Sequence, residues 1–132
     1  EEAFRWTAAG GIEALGDLPG GALHSYAADA SANGSIIVGG GSSELGDEAT
    51  IWDAQHGLRN LREVLVHDFG LDLTDWRLTG AAAISDDGLA IAGNGVNPDG
   101  YQEGWVVYLP EPSALVLLAL LSVVGVGRRS TR

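Results

Sequence analysis

Short apolar runs recur along this chain, each bounded by glycine or a glycine-containing polar pair, and they repeat in register. Glu2-Ala3-Phe4-Arg5-Trp6 matches Glu48-Ala49-Thr50-Ile51-Trp52. Gly11, Ile12 and Leu15 follow Trp6 at the offsets at which Gly57, Leu58 and Leu61 follow Trp52, a shift of 46 residues. Ser31-Ala32-Asn33-Gly34-Ser35-Ile36-Ile37-Val38-Gly39 matches Ser85-Asp86-Asp87-Gly88-Leu89-Ala90-Ile91-Ala92-Gly93, here with a shift of 54. The second copy therefore holds an insertion of 8 residues between Leu61 and Ser85. A third copy opens at Glu103-Gly104-Trp105-Val106-Val107. Self-similarity at such a period is the signature of a repeat architecture. The copies span 2–47, 48–102 and a truncated 103–109, so repeats occupy residues 1–109.

Each copy reads as short strands joined by tight turns. Phe4 to Thr7 is expected to be one strand and Ile12 to Leu15 a second, turning at Ala9-Gly10-Gly11. Tyr26 to Ala30 and Ser35 to Val38 are expected to pair as a hairpin around Asn33-Gly34. Asn-Gly is a strong hairpin signal because both residues tolerate the positive φ of a type I′ turn. Asp87-Gly88 serves the same purpose in copy two. The matched positions of Trp6, Trp52 and Trp105 predict buried core layers.

The insertion carries a different period. Leu61, Leu65 and Phe69 stand four apart with Val64 beside them, which makes one apolar helical stripe. Asn60 can cap it, with Glu63 three residues on as in a capping box, and Gly70 can stop it. A short helix over Leu61 to Phe69, packed on a sheet edge, is expected, with Trp76 beneath it.

The last 23 residues, 110–132, break with all this. Pro110-Glu111-Pro112 precedes an uncharged run over 113–127, and the chain closes on Arg128-Arg129-Ser130-Thr131-Arg132. Motif, apolar helix and basic stop form the three-part layout of a membrane-sorting signal. Arginines resist translocation and would sit on the cytoplasmic side. The prolines keep the motif extended and open to an enzyme. The 14 residues from Ala114 to Gly127 would span about 21 Å as helix. That is short of the ~30 Å hydrocarbon core, and Ser113 with snorkelling arginines would make up part of the gap.

These residues carry two resemblances. Units with an aromatic-Trp strand, a Gly-then-Leu strand and an Asn/Asp-Gly hairpin resemble the HAF repeats of bacterial extracellular proteins. The stretches Asp68-Phe69-Gly70-Leu71-Asp72-Leu73-Thr74-Asp75-Trp76, Ile84-Ser85-Asp86-Asp87-Gly88 and Asn97-Pro98-Asp99-Gly100 resemble the last such repeat before a PEP-CTERM tail. Copy one departs at its start, where Glu2 replaces the histidine of the family pattern. The tail itself resembles the PEP-CTERM signal, also catalogued as an ice-binding protein C-terminal domain. The resemblance implies an exosortase-type processing enzyme as partner. It also implies a single-pass inner-membrane intermediate and final placement at the cell surface or outside. The fold class that follows is all-β. Antiparallel repeats would resemble blades of an incomplete β-propeller, with one inserted helix and a C-terminal transmembrane helix.

Composition sharpens this picture. Glycine is abundant, at 20 of 132 residues, which suits turn-rich β structure. No cysteine is present, so thiol nucleophiles, thiolate metal sites and disulfides are excluded. All 18 acidic residues lie at or before Glu111 with only four arginines, while the last five residues hold the other three. An acidic body argues against nucleic acid, whose phosphates require Lys and Arg. The absence of Met and the start in mid-pattern at Glu1-Glu2-Ala3-Phe4 suggest a piece of a longer exported chain.

Candidate chemistry is sparse. His24, His56 and His67 show no metal-ligand spacing, and no metal or cofactor is expected. Asp86-Asp87-Gly88 and Asn97-Pro98-Asp99-Gly100 do not fit the twelve-residue calcium loop and read as turns. Gly39-Gly40-Gly41-Ser42-Ser43 lacks the Lys-Ser/Thr of a phosphate cradle and reads as a flexible connection. No carboxylate pair is marked out for acid-base catalysis, so no catalytic residue is assigned. Three function classes follow: an extracellular repeat protein acting by structure or binding, with exopolysaccharide as candidate partner; a hydrolase or lyase whose catalytic residues lie in a missing N-terminal part; and an ice- or surface-adhesion protein. The last would need a regular threonine ladder, which the chain does not show.

Overall fold

The computed structural model describes residues 1–110 and the backbone of residues 126–130. These residues are mostly antiparallel β structure with one short helix, as the all-β expectation had it. The strands are β1 (Ala3–Thr7), β2 (Gly11–Gly16), β3 (Gly20–Ala30), β4 (Ile37–Ser43), β5 (Gly46–Asp53) and β6 (Gly57–Asn60). Helix α1 (Leu61–His67) follows, then β7 (Arg77–Ile84), β8 (Ala90–Val96), β9 (Gln102–Tyr108) and β10 (Val126–Ser130). They form a two-stranded sheet β1-β2 and two four-stranded sheets, β3-β4-β5-β6 and β7-β8-β9-β10.

The sequence copies are not the sheets. Each full sheet takes its hairpin from one copy and its tryptophan strand from the next. The middle sheet joins β3 and β4 of copy one to β5 and β6 of copy two, and the last sheet joins β7 and β8 to β9. In both, the strand preceding the tryptophan strand runs antiparallel along it. Ile37 stands opposite Trp52 and Gly93 opposite Trp105. The hairpin recurs at a shift of 54 and the tryptophan strand at 53, so the two registers differ by two residues, which leaves every side chain on its own face.

The two interior hairpins turn identically. Ser31 N–H donates to Ile36 O at 2.9 Å and Ser85 N–H to Ala90 O at 2.8 Å. Gly34 and Gly88 N–H donate back to Ser31 O and Ser85 O. Asn33 Oδ1 accepts from Ser35 N–H and Asp87 Oδ1 from Leu89 N–H, each at 3.0 Å. Only the glycines take positive φ, +70° at Gly34 and +76° at Gly88. The type I′ expectation is thus corrected. The side-chain oxygen holds the turn as an Asx turn, so Asn33 and Asp87 need no left-handed backbone. The two turns also meet, Ala32 N–H donating to Asp86 O at 2.9 Å.

The inserted helix forms as expected, slightly shorter. Asn60 caps it, its Oδ1 accepting from Glu63 N–H at 3.2 Å. Gly70, at φ +70°, donates to Val66 O, the left-handed stop that leaves no Cβ penalty. Leu61, Val64 and Leu65 are buried. Arg62 ties the helix to the following loop by donating to Trp76 O at 2.9 Å and Leu73 O at 2.8 Å. Trp76 packs, partly buried, on the larger core.

That core lies between the middle and last sheets and includes Val38, Ala49, Ile51, Leu65 and Trp105. A smaller one between β1-β2 and the middle sheet holds Ala3, Leu15, Ile37 and Trp52. Gly39, Gly40 and Gly41 lie inside β4 and are buried, not in a connection. A Cβ on Gly39 would strike the Tyr26 carbonyl, so glycine is what lets β3 approach β4.

Two expectations about the tail meet this structure. Val126 and Gly127, assigned to the apolar helix 113–127, belong to β10, with Val126 opposite Val107 on β9. Paired along the edge of β9, β10 gives the backbone groups of that edge antiparallel partners. The rest of that helix lies outside the described residues. Among the described residues no helix is long and apolar enough to cross a membrane.

Candidate functional site

Three places could carry function: the junction with the tail, a cleft beside α1, and the uncovered face of β1-β2.

At the junction, Leu109 N–H donates to Leu89 O at 2.7 Å, and Pro110 follows, partly exposed. The Pro110-Glu111-Pro112 motif thus begins one residue after the Leu109 anchor that follows β9. Glu111 and Pro112 lie outside the described residues, as does Arg132. Arg128 and Arg129 lie in β10, their Cα atoms opposite Trp105 and Gly104. This placement and one across a membrane from the sheets exclude each other. β10 must leave β9 before its arginines can reach the far side of a bilayer.

The cleft, about 500 Å³, lies between the β4–β5 turn, β6 and α1. Glu44, Glu48, Glu63 and Asp68 line it, with Arg59 and His67. Arg59 is already engaged, its guanidinium donating to Asp53 at 3.3 Å and to Asp68 at 3.2 Å. Burial would raise the Asp53 carboxyl, but the N–H and ring of His56, together with Arg59, outweigh it and hold the group below its ordinary value. His56 belongs to the β5–β6 turn, its ring nitrogen 3.0 Å from Asp53. His24 pairs with Glu1 at 3.2 Å, and His67 is exposed at the end of α1. Among the described residues no group of three or more His, Asp or Glu is placed to hold a metal ion.

The acidic turns use their own oxygens. Ser85 Oγ–H donates to Asp87 at 2.6 Å, which with the Leu89 N–H holds that carboxyl below its ordinary value. Buried Asn97 donates from Nδ2 to buried Glu103 at 2.6 Å, and its Oδ1 accepts from the Asp99 and Tyr101 N–H groups. Each oxygen described here is committed to closing a loop.

The third place is one that sequence pattern alone misassigns. Trp6 is 65 % exposed, not buried, while Trp52 and Trp105 are 4 % and 1 % exposed. Phe4 lies two residues before Trp6 on the same face of β1, and Ile12 stands opposite Trp6 on β2; both are exposed. The other face of β1-β2 is covered: Ala3 and Leu15 are buried, and the Arg5 guanidinium lies over the Trp52 ring at 4.6 Å. Arg5 is held there by Glu13 at 2.9 Å. Matched motif positions carried no sign of this asymmetry, because the difference lies in which neighbour is present.

No protein-family model, no curated protein and no solved structure matches this chain.

Proposed function

We propose that this chain is an exported cell-envelope or extracellular repeat protein, sorted through its Pro110-Glu111-Pro112 motif and apolar segment 113–127. Its β repeats serve a structural or binding role in the extracellular matrix, with exopolysaccharide as the candidate partner. The observation that carries the reading is the abrupt change at Leu109. The acidic repeats run to a backbone anchor at Leu109, and the proline motif, the uncharged run and the arginine cluster follow it directly in sequence. A membrane-embedded processing enzyme needs such an extended peptide just outside the bilayer. Both prolines resist helix and bias the preceding residue towards extended backbone. Glu111 cannot enter lipid cheaply and marks the water-facing boundary. In this reading the sheets are blades of an incomplete propeller, the segment 113–127 crosses the membrane, and Arg128, Arg129 and Arg132 stay in the cytoplasm. β10 is then a pairing that the inserted tail gives up.

The test is Glu111→Ala in a host with an exosortase. The substitution keeps the length and stiffness of a linker but removes a recognition element. The wild type is expected to lose its tail and to reach the surface or medium. The variant is expected to stay full length in the inner membrane, judged by intact mass. Equal processing of both forms would reduce the motif to a linker.

A further inference from the structure

We infer that the free edge of β1 and the face formed by Phe4, Trp6 and Ile12 are a docking surface for a further repeat of the kind spanned by residues 2–47. This inference is independent of whether the tail is processed.

The argument rests on the internal repetition. The tryptophan strands β1, β5 and β9 occupy equivalent places, and two of the three show what that place receives. Along its edge, β5 receives β4 and β9 receives β8, in each case the strand just before it in the chain. Over its face, Trp52 receives Ala3, Leu15 and the Arg5 guanidinium of the preceding sheet. Trp105 shares its core with Ala49, Ile51 and Val38 of the preceding sheet. Among the described residues β1 has the same motif and neither cover: its sheet holds two strands, and Trp6 is 65 % exposed.

A second copy of this chain does not supply the missing cover. The face that would have to do so is the outward face of the last sheet. There, the positions equivalent to Val38, Ala49 and Ile51 are Ala92, Gln102 and Gly104. None of these is buried, whereas Val38 and Ala49 are each 1 % exposed. A second copy would therefore meet Trp6 with small and polar side chains where Trp105 meets aliphatic ones. The partner that fits carries a glycine-containing hairpin like β3-β4 for the edge, and an Ala3, Arg5 and Leu15 face for the tryptophan.

The experiment supplies that partner covalently. Residues 2–47 are duplicated in tandem ahead of Glu2 in the full chain, reconstituted in nanodiscs, so that Asp47 of the added copy leads into Glu2 as Asp47 now leads into Glu48. Amide hydrogen exchange is read by mass spectrometry over Phe4–Thr7. Exchange there is expected to slow by about tenfold or more, while the equivalent segment of the added copy exchanges fast. A second variant carries Gly39→Val in the added copy only. Its side chain would strike the Tyr26 carbonyl, so the added hairpin cannot close and β1 is expected to exchange as in the original chain. Unchanged exchange at β1 beside a protected added hairpin would overturn the inference. So would protection of β1 in the unduplicated chain that grows with its concentration, since the occupant would then be a second copy.

Discussion

Trp6 and Trp52 stand at the same place in the same five-residue motif, yet one is 65 % exposed and the other 4 %. Their strands pair alike with the strand that follows: Trp6 faces Ile12 and Trp52 faces Leu58. What differs is what comes before. Local pattern sets strand, turn and face, because these depend on residues a few positions apart. Burial depends on a hairpin and a sheet contributed by the preceding unit, and among the described residues none covers β1-β2 in that way. The pair separates intrinsic strand formation from stacking within one molecule.

The sharpest way to break this comparison is to delete the ring on each side. Trp105→Ala is expected to cost about 3–5 kcal/mol, as for other buried tryptophans, because it leaves a cavity in the larger core and removes the Nε1–H bond to the Asn94 carbonyl at 2.8 Å. Trp6→Ala is expected to stay within about 0.5 kcal/mol, as exposed substitutions do. Equilibrium urea unfolding of both variants reads the difference, and equal losses would mean that the face of β1 is covered in solution.

A smaller effect is expected at the helix, the feature copy two has and copy one lacks. After β2 the chain passes straight to β3; after β6 it enters α1 through Asn60. Asn60→Ala is expected to cost about 1 kcal/mol by freeing the Glu63 N–H. The same substitution at Gln55, in an exposed turn of the same sheet, should be silent by comparison. Thermal unfolding that ranks the two alike would show that the cap contributes nothing.

The smallest expected effect compares the two interior turns. Asn33 and Asp87 accept the same backbone bond, but only Asp87 titrates. Its carboxyl is held below the ordinary value by the Ser85 hydroxyl first and the Leu89 N–H second. A depressed folded-state pKa contributes stability above the ordinary carboxylate range and loses it as pH falls through the folded value. Asp87→Asn is therefore expected to flatten the fall in Tm below about pH 4. The group is fully exposed, so the change is small. Superimposable Tm profiles for the two proteins would show that the turn does not sense the charge.

Much of the fold was legible in advance, and for local reasons. Strands β1 and β2, both interior hairpins, the Asn60 cap and the Gly70 stop each rest on residues within a few positions of one another. Gly39, Gly40 and Gly41 misled because a glycine run looks the same in a loop and in a strand. Only the approach of the Tyr26 backbone shows why the strand needs it. Of the candidate site, the change at Pro110 from an acidic body to a proline motif, an uncharged run and an arginine cluster was legible as a pattern of charge and apolarity. The open aromatic face was not, since Trp6 carries the same flanking signals as its buried counterparts.

By itself, the sequence determined the period of the repeat, the alternation of strand and turn, the inserted helix and the break at Pro110, all written in neighbouring side chains. Only the tertiary structure decided how the strands are shared. Each full sheet closes a hairpin of one copy onto the tryptophan strand of the next, the Gly39 run threads a core, and Val126–Ser130 lies along β9. The reason is physical. A strand's backbone groups and apolar face are satisfied by partners from distant parts of the chain, and nothing in a strand's own residues says which partner arrives.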